Sequence, residues 1–269
     1  MNPAVPTIEE NLEKFGQDVF WLRGGDDWSE PWGGPETQWL YTILPRISSF
    51  LPADSILEIA PGFGRWTHFL QKSCQHLTGI DLNSKCIEAC QRRFADLPHV
   101  RFCLNDGESL GVVPDESIDF IFTLDSLVHV ERDVMESYLS QFPRVLRREG
   151  AAFIHHSNCG DYLRGPLVRA MVRVPLARRY VRRYRLFGVR QNHHWRAESV
   201  SAATVRSLCN RHGLKCLSQE LINWREDYLN DCFSIVVRAD STMSSRDTKI
   251  VENYGFMEEV ARAKVRARC

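Results

Sequence analysis

The 269-residue chain has no net formal charge: Lys plus Arg and Asp plus Glu each total 34. Bulk attraction to nucleic acid or to an anionic membrane surface is thereby excluded, and any binding by charge must come from local segregation. No CxxC pair occurs among the nine Cys, which stand at 74, 86, 90, 103, 159, 209, 216, 232 and 269. That odd, scattered set supports neither a zinc knuckle nor a disulfide framework and reads as reduced thiols. Long apolar runs are missing too, since no stretch reaches the roughly 18 residues that a membrane span needs. The opening MNPAVPTIEENLEKF lacks a basic start followed by an apolar run. The expectation is therefore a cytoplasmic chain. What is present is core material, 43% hydrophobic and 10% aromatic. That suffices for one sizeable core and excludes disorder or fibre.

Strand-like and helix-like runs alternate from about residue 54 to residue 238, the order of a parallel sheet with crossover helices. The strand candidates are Ser55 to Ala60, His76 to Asp81, Val100 to Leu104, Ser117 to Leu124, Ala151 to His156, Lys215 to Glu220 and Cys232 to Val237. Helices are predicted over Gly64 to Ser73, Ser84 to Ala95, Arg132 to Arg148 and Ser199 to Arg211. The implied fold is α/β, doubly wound and Rossmann-like, with a seven-stranded, mostly parallel sheet and helices on both faces. Three segments fall outside the alternation. Residues 1–50 form an N-terminal cover with Trp21, Trp28, Trp32 and Trp39, four of the seven Trp. Residues 159–198 interrupt the main domain of residues 51–240 as an insertion. Residues 241–269 read as a polar tail ending in a short helix.

The stretch Glu58-Ile59-Ala60-Pro61-Gly62-Phe63-Gly64 runs from an apolar strand through a glycine turn into a helix. Glycines there let a ligand approach the backbone, and a helix N-terminus offers free amides. An acid follows at the next strand end, Gly79-Ile80-Asp81-Leu82, about 20 residues on, where a ribose diol would lie. A dinucleotide fingerprint would want a third small residue, but that place holds Thr67 behind the bulky Trp66.

With these features, the loop resembles the first motif of class I S-adenosylmethionine-dependent methyltransferases. The resemblance continues in order through Asp81, Asn105-Asp106-Gly107, Ile118 to Leu127 and Leu146 to Ala151, and it looks most like a bacterial subgroup acting on sugars and polysaccharides. It implies S-adenosylmethionine as cofactor, held by Glu58, Ala60, Gly62, Phe63 and Gly64 in the turn. Asp81 and Leu82 would meet the ribose, Asp106 and Gly107 the adenine edge, and Leu124 the end of the fourth strand. Glu58 would face the cationic amino acid moiety. Ala60 replaces the commoner Gly.

Methyl transfer to a hydroxyl favours a nearby general base, and His is the usual choice. His129, His156 and His194 all fall where the acceptor should sit. Strand alternation sends His155 and His156 to opposite faces, so one of them belongs to the packing layer. A metal is the weaker reading, because no compact spacing such as HExxH appears. The loop after the fourth strand, Leu124-Asp125-Ser126-Leu127, lacks the Asn/Asp-Pro-Pro-aromatic tetrapeptide of resembling enzymes that hold an amino nitrogen. A small-molecule or glycan hydroxyl is thus the expected acceptor.

Leu163 to Arg190 contains nine Arg and no acid. The segment is expected to form a basic lid over the acceptor side, suited to an anionic acceptor or to peripheral contact with an anionic membrane. Nucleic acid is the less favoured partner, because few aromatics are available for stacking. An RNA or protein methyltransferase, and a cofactor-binding regulator without catalysis, remain as rivals. Of the tryptophans, Trp21, Trp28 and Trp39 are expected to pack the extension onto the domain. Trp32, in a turn-rich loop, is the one expected to close over the acceptor.

Overall fold

The computed structural model describes residues 7–15, 17–163, 174, 176–177 and 195–267. Strands form where apolar side chains alternate or run unbroken: β1 Ala53–Ile59, β2 Cys74–Asp81, β3 Val100–Leu104, β4 Ile118–Thr123, β5 Leu146–Ser157, β6 Leu214–Ile222, β7 Asp231–Arg238 and β8 Lys249–Asn253. They make one sheet in the order β3-β2-β1-β4-β5-β7-β6-β8. β7 runs antiparallel to both β5 and β6, and every other pairing is parallel. The order turns outward in both directions from β1 and β4, so the crevice at their carboxyl ends is the natural ligand site of such a sheet.

The sheet therefore has eight strands rather than the expected seven, and the extra one comes from the segment read as a polar tail. β8 pairs in parallel with β6 from Ser218↔Lys249 to Ile222↔Asn253. Four of its five residues are exposed, so an edge strand of this kind carries no alternating apolar signature.

Helices cover both faces. Period-two alternation sends Leu57, Ile59, Ile121 and Ile154 to one side, where they pack against α6 (Arg132–Val145) and α7 (Ala202–Arg211) through Met135, Leu139, Phe142, Val205 and Leu208. Ile56, Phe120, Phe122 and Phe153 face the other way. They meet residues of α2 (Pro35–Gln38) to α3 (Leu44–Ile47), α4 (Thr67–Leu70) and α8 (Phe256–Arg266), including Ile43, Ile47, Leu70, Phe256 and Val260. Much of the N-terminal extension and of the tail thus serves as the second packing layer.

Ends of helices follow local chemistry. In α1 (Ile8–Phe15) the Thr7 and Glu10 side chains exchange hydrogen bonds with each other's backbone N–H at 3.1 Å, a reciprocal capping box. α5 (Ser84–Arg93) starts at Asn83, whose side chain accepts from Lys85 N–H at 3.0 Å. α6 stops at Val145, earlier than the predicted Arg148, because Leu146 to Arg148 already belong to β5.

Gly64 has φ +83°, and a Cβ there would lie 2.4 Å from the Phe94 ring. Gly64→Ala is accordingly expected to cost at least about 1–2 kcal/mol from the left-handed backbone alone, measured as a lower urea midpoint. A loss no greater than this would mean that Phe94 moves aside, and an unchanged midpoint would mean that the turn itself relaxes out of the left-handed region.

Candidate active site

One cavity, about 970 Å³ of space partly open to solvent, lies at the carboxyl ends of β1, β2 and β4. Of the residues expected to hold the cofactor, Ala60, Gly62, Phe63, Asp81, Leu82, Gly107 and Leu124 line it. Ala60, Gly62 and Gly107 take φ of +57°, +58° and +87°, so the chain bends through left-handed backbone beside the cavity. At Gly107 an added Cβ would meet Ile8 of α1 at 3.3 Å.

Asp81 ends β2 with both carboxylate oxygens anchored. Gly62 N–H donates to Oδ2 at 3.2 Å and Asn83 N–H to Oδ1 at 2.9 Å. Burial pushes its pKa up to about 6, even though these backbone bonds pull it down.

Three expected residues stand elsewhere. Glu58 does not reach the cavity wall: its Oε2 accepts from Thr67 Oγ1 at 2.5 Å, and burial raises its carboxyl to about 7. Gly64 faces Phe94 and Cys90 Sγ rather than the cavity. Asp106 is exposed, and its Oδ1 accepts from the N–H of Glu108 and Ser109 at 3.0 and 2.7 Å. It shapes the loop, while its neighbour Asn105 lines the cavity.

The histidines separate clearly. His129 lines the cavity. Its Nδ1–H donates to the Trp195 carbonyl at 2.9 Å, which leaves Nε2 as the acceptor nitrogen. Burial, helped by the Arg196 charge, pushes the ring down to about 3 and keeps it neutral. His156 is fully buried in the layer below, within reach of Ser157 O at 2.9 Å and Ser234 Oγ at 2.8 Å, and does not line the cavity. His194 lies outside the described residues, as do His193 and most of the Arg-rich insertion.

His155, which the sequence reading set aside, occupies the more consequential face of β5. Its Nδ1 lies 3.3 Å from Asp125 Oδ1 and its Nε2 3.1 Å from Asp231 Oδ2. Arg65 Nη2 donates to Asp125 Oδ2 at 2.7 Å, and Arg196 grips Asp231 through Nε and Nη2 at 2.7–3.1 Å. Burial alone would make the imidazolium of His155 unfavourable, but the two carboxylates outweigh it and raise the pKa. Burial likewise opposes ionisation of Asp231, yet Arg196 and His155 bring its carboxyl down to about 2. Asp125, with φ +64°, and Arg65 both line the cavity, so this buried chain of charges ends at the site. Asp125 is held well below the usual carboxylate range by His155 and Arg65 against the effect of burial.

The tryptophans trade the roles expected of them. Trp32 is buried in the core, where Nε1–H donates to Thr42 Oγ1 at 2.8 Å. Trp21 and Trp28 line the cavity together with Phe15 and Trp66. Asn11 Oδ1 and Trp66 Nε1, also in the wall, and Glu58 Oε1 behind it are buried without a hydrogen-bond partner among the described residues. Orphaned polar atoms beside an anchored Asp81 suit a polar ligand with both donors and acceptors. A nucleoside with an amino acid arm has both.

Residues 56–150 match the model of a methyltransferase domain. Ribosomal RNA small subunit methyltransferase A of Geobacter metallireducens is 31% identical over 67 residues, which cover 24% of this chain and 24% of that protein. The aligned segment thus spans about a quarter of that curated relative. Among solved structures, an S-adenosylmethionine-dependent methyltransferase of Leishmania major superposes with TM-score 0.58 at 13% identity, covering 85% of this chain and 82% of that one. One from Clostridium acetobutylicum gives TM-score 0.55 at 13% identity, with 84% and 98% covered. At such identities the likeness is one of fold. No described helix is long and apolar enough to cross a membrane. Residues 56–150 are thus similar to a methyltransferase domain, and the chain shares the Rossmann-like α/β fold of these solved structures.

Proposed function

We propose that this chain transfers a methyl group from S-adenosylmethionine to a hydroxyl of a small-molecule or carbohydrate acceptor. The observation that carries the reading is the convergence on one cavity of the glycine turn, the anchored Asp81 and a histidine whose Nε2 is left as the acceptor nitrogen. When bound, the cofactor supplies an activated methyl carbon on a sulfonium sulfur. Asp81 would accept the ribose hydroxyls, Leu82, Asn105 and Gly107 would enclose the adenine side, and Leu124 and Ala60 would bound the amino acid arm.

His129 takes the acceptor's proton at Nε2. The Trp195 carbonyl holds its Nδ1–H and so selects the competent tautomer. Burial holds the ring neutral, the form that can accept a proton. Asp125, locked by Arg65 and His155, offers the acceptor hydroxyl a fixed hydrogen-bond partner in the wall of the same cavity. The Arg-rich stretch of residues 163–190 supports an anionic acceptor by charge.

Asp81→Ala is expected to weaken S-adenosylmethionine by about 10- to 150-fold, the loss of about 1.5–3 kcal/mol for a charge-assisted bond. Calorimetry checks this. Unchanged affinity, or tighter binding of NAD, sinks the cofactor assignment. Incubation with methyl-labelled cofactor and a panel of hydroxyl, amino and RNA acceptors tests the acceptor class, and transfer to RNA alone would replace it.

A further inference from the structure

The tautomer of His129 depends on one carbonyl, and that carbonyl belongs to a strained residue. Trp195 takes φ +55°, a left-handed backbone that a bulky side chain keeps only where its surroundings over-determine it. Its oxygen accepts His129 Nδ1–H at 2.9 Å. Relaxation of the Trp195 backbone would swing that oxygen away, and an imidazole without such a partner carries its proton on either nitrogen.

What opposes relaxation is a clasp between residues 128–132, after β4, and residues 195–199, where the insertion ends. Ala197 N–H donates to Val128 O at 2.8 Å, and Arg132 N–H donates to Ser199 Oγ at 2.8 Å. Glu131 adds two bonds: its Oε1 accepts from Glu198 N–H and its Oε2 from Ser199 N–H, each at 3.0 Å. When the acceptor is ionised, such bonds are about twice as strong as neutral ones. Glu131 is buried and does not line the cavity. Its carboxylate acts on the returning backbone instead.

We infer that Glu131 is a positioning residue for methyl transfer: by tying down residues 198 and 199 it keeps the Trp195 carbonyl on His129 Nδ1–H and Nε2 as the accepting nitrogen. The inference rests on the reading of His129 as the base. Opening the clasp changes the ring's titration with a definite sign. Burial is the largest influence lowering His129 to about 3, with the Arg196 and Lys14 charges acting the same way and the Trp195 bond and Asp231 opposing them. Phe15 covers the ring at 5.4 Å between centroids. At Glu131 itself burial raises the carboxyl, the Asp133 charge adds to that, and the Ser199 bonds oppose it. Water admitted through an open clasp would return His129 toward its ordinary 6.5.

Glu131→Gln in the full chain tests this, because it keeps the size and one acceptor but turns an amide NH2 against a backbone N–H. NMR of the ring nitrogens is expected to show His129 as the neutral Nδ1–H tautomer, flat from about pH 5 to pH 8, in the wild type, and titrating within that range in the variant. On the hydroxyl acceptor that the labelled-cofactor panel identifies, kcat should fall by up to about 10²-fold, as it does when a catalytic group is displaced, and most steeply at the acid end. S-adenosylhomocysteine affinity should stay within about twofold and so report an intact fold, since Glu131 lies outside the cavity wall. Added to His129→Ala, Glu131→Gln should change turnover by less than about twofold, because the two act through one group. A His129 ring that stays flat in folded Glu131→Gln, or losses that multiply in the double variant, overturns the inference and leaves His129 as the base. A wild-type ring protonated at Nε2, or near-normal turnover in His129→Ala, overturns the base reading along with it.

Discussion

His129→Ala is expected to lower methyl transfer to a hydroxyl acceptor by about 10²- to 10⁴-fold, with cofactor affinity preserved, as loss of a general base does. The argument starts from geometry. His129 sits just after β4, lines the cavity, and donates its Nδ1–H to Trp195 O, so only Nε2 can receive a proton. The pH profile supplies an independent check. The neutral ring is the active form, and burial moves its pKa down from 6.5 to about 3. Between about pH 5 and pH 8 the base form is thus fully populated, and no limb near the ordinary histidine value should appear. A fall in rate through about pH 6.5 that persists in His129→Ala would show that another group takes the proton. His156→Ala is the matched control. That ring is enclosed between Ser157 O and Ser234 Oγ, with burial pushing it down to about 4. Its loss should lower stability but leave turnover of the folded fraction close to wild type. A collapse of turnover in His156→Ala, with His129→Ala near normal, reverses the assignment.

Asp231→Asn is expected to destabilise the fold by about 3–5 kcal/mol, because removing one member of a buried ion pair strands the other. Asp231 is fully buried at the start of β7. Arg196 grips it twice and His155 touches it from the other side. In the variant the guanidinium keeps its charge but loses the carboxylate that its Nε and Nη2 grip. Urea denaturation measures the change, and a loss below about 1 kcal/mol would mean that the pair contributes no more than an exposed one. Adding Arg196→Met should recover part of the loss, since no guanidinium is then left stranded. The linkage has a definite sign. The carboxyl titrates at about 2 when folded against 3.8 ordinarily, so it adds stability above pH 3.8 that is lost as pH falls through about 2. Asp231→Asn should remove that acid limb.

The chain of contacts from Arg65 through Asp125, His155 and Asp231 to Arg196 also ties the cavity to the C-terminal end of the insertion. Trp195 fixes the His129 ring, and its neighbour Arg196 anchors the chain that ends at Asp125. Two adjacent residues thereby brace His129 and Asp125 in the cavity wall. Ser157 Oγ donates to Ala197 O at 2.6 Å and Ala197 N–H to Val128 O at 2.8 Å, which stitches the same segment to β5 and to the loop after β4.

Residues 54 to 158 were legible as alternating strands and helices because their information is local. Apolar runs at Ile56 to Ile59, Phe120 to Phe122 and Phe153 to Ile154 meet the strand period, and Asn83 and Ser201 cap the helices that follow. The glycine turn and Asp81 could be read for the same reason, since strand end, turn and helix start are contiguous in sequence. Contacts made at long range could not be read. Asp125, His155, Asp231 and Arg196 come from four separate stretches, and nothing near any one of them specifies the others. Alternation required His155 and His156 to part. It could not say which face would carry carboxylates, because Asp125 and Asp231 arrive from neighbouring strands. Trp32 and Trp21 stand in similar Gly-containing, tightly turned segments. One became core and the other cavity wall only when α8 supplied Phe256 to cover Trp32, while the Gly62 turn left a seat for Trp21. Local pattern determined which elements form, since backbone periodicity and capping act over a few residues. The site was decided by packing, because burial and charge pairing depend on neighbours that only the folded sheet brings together.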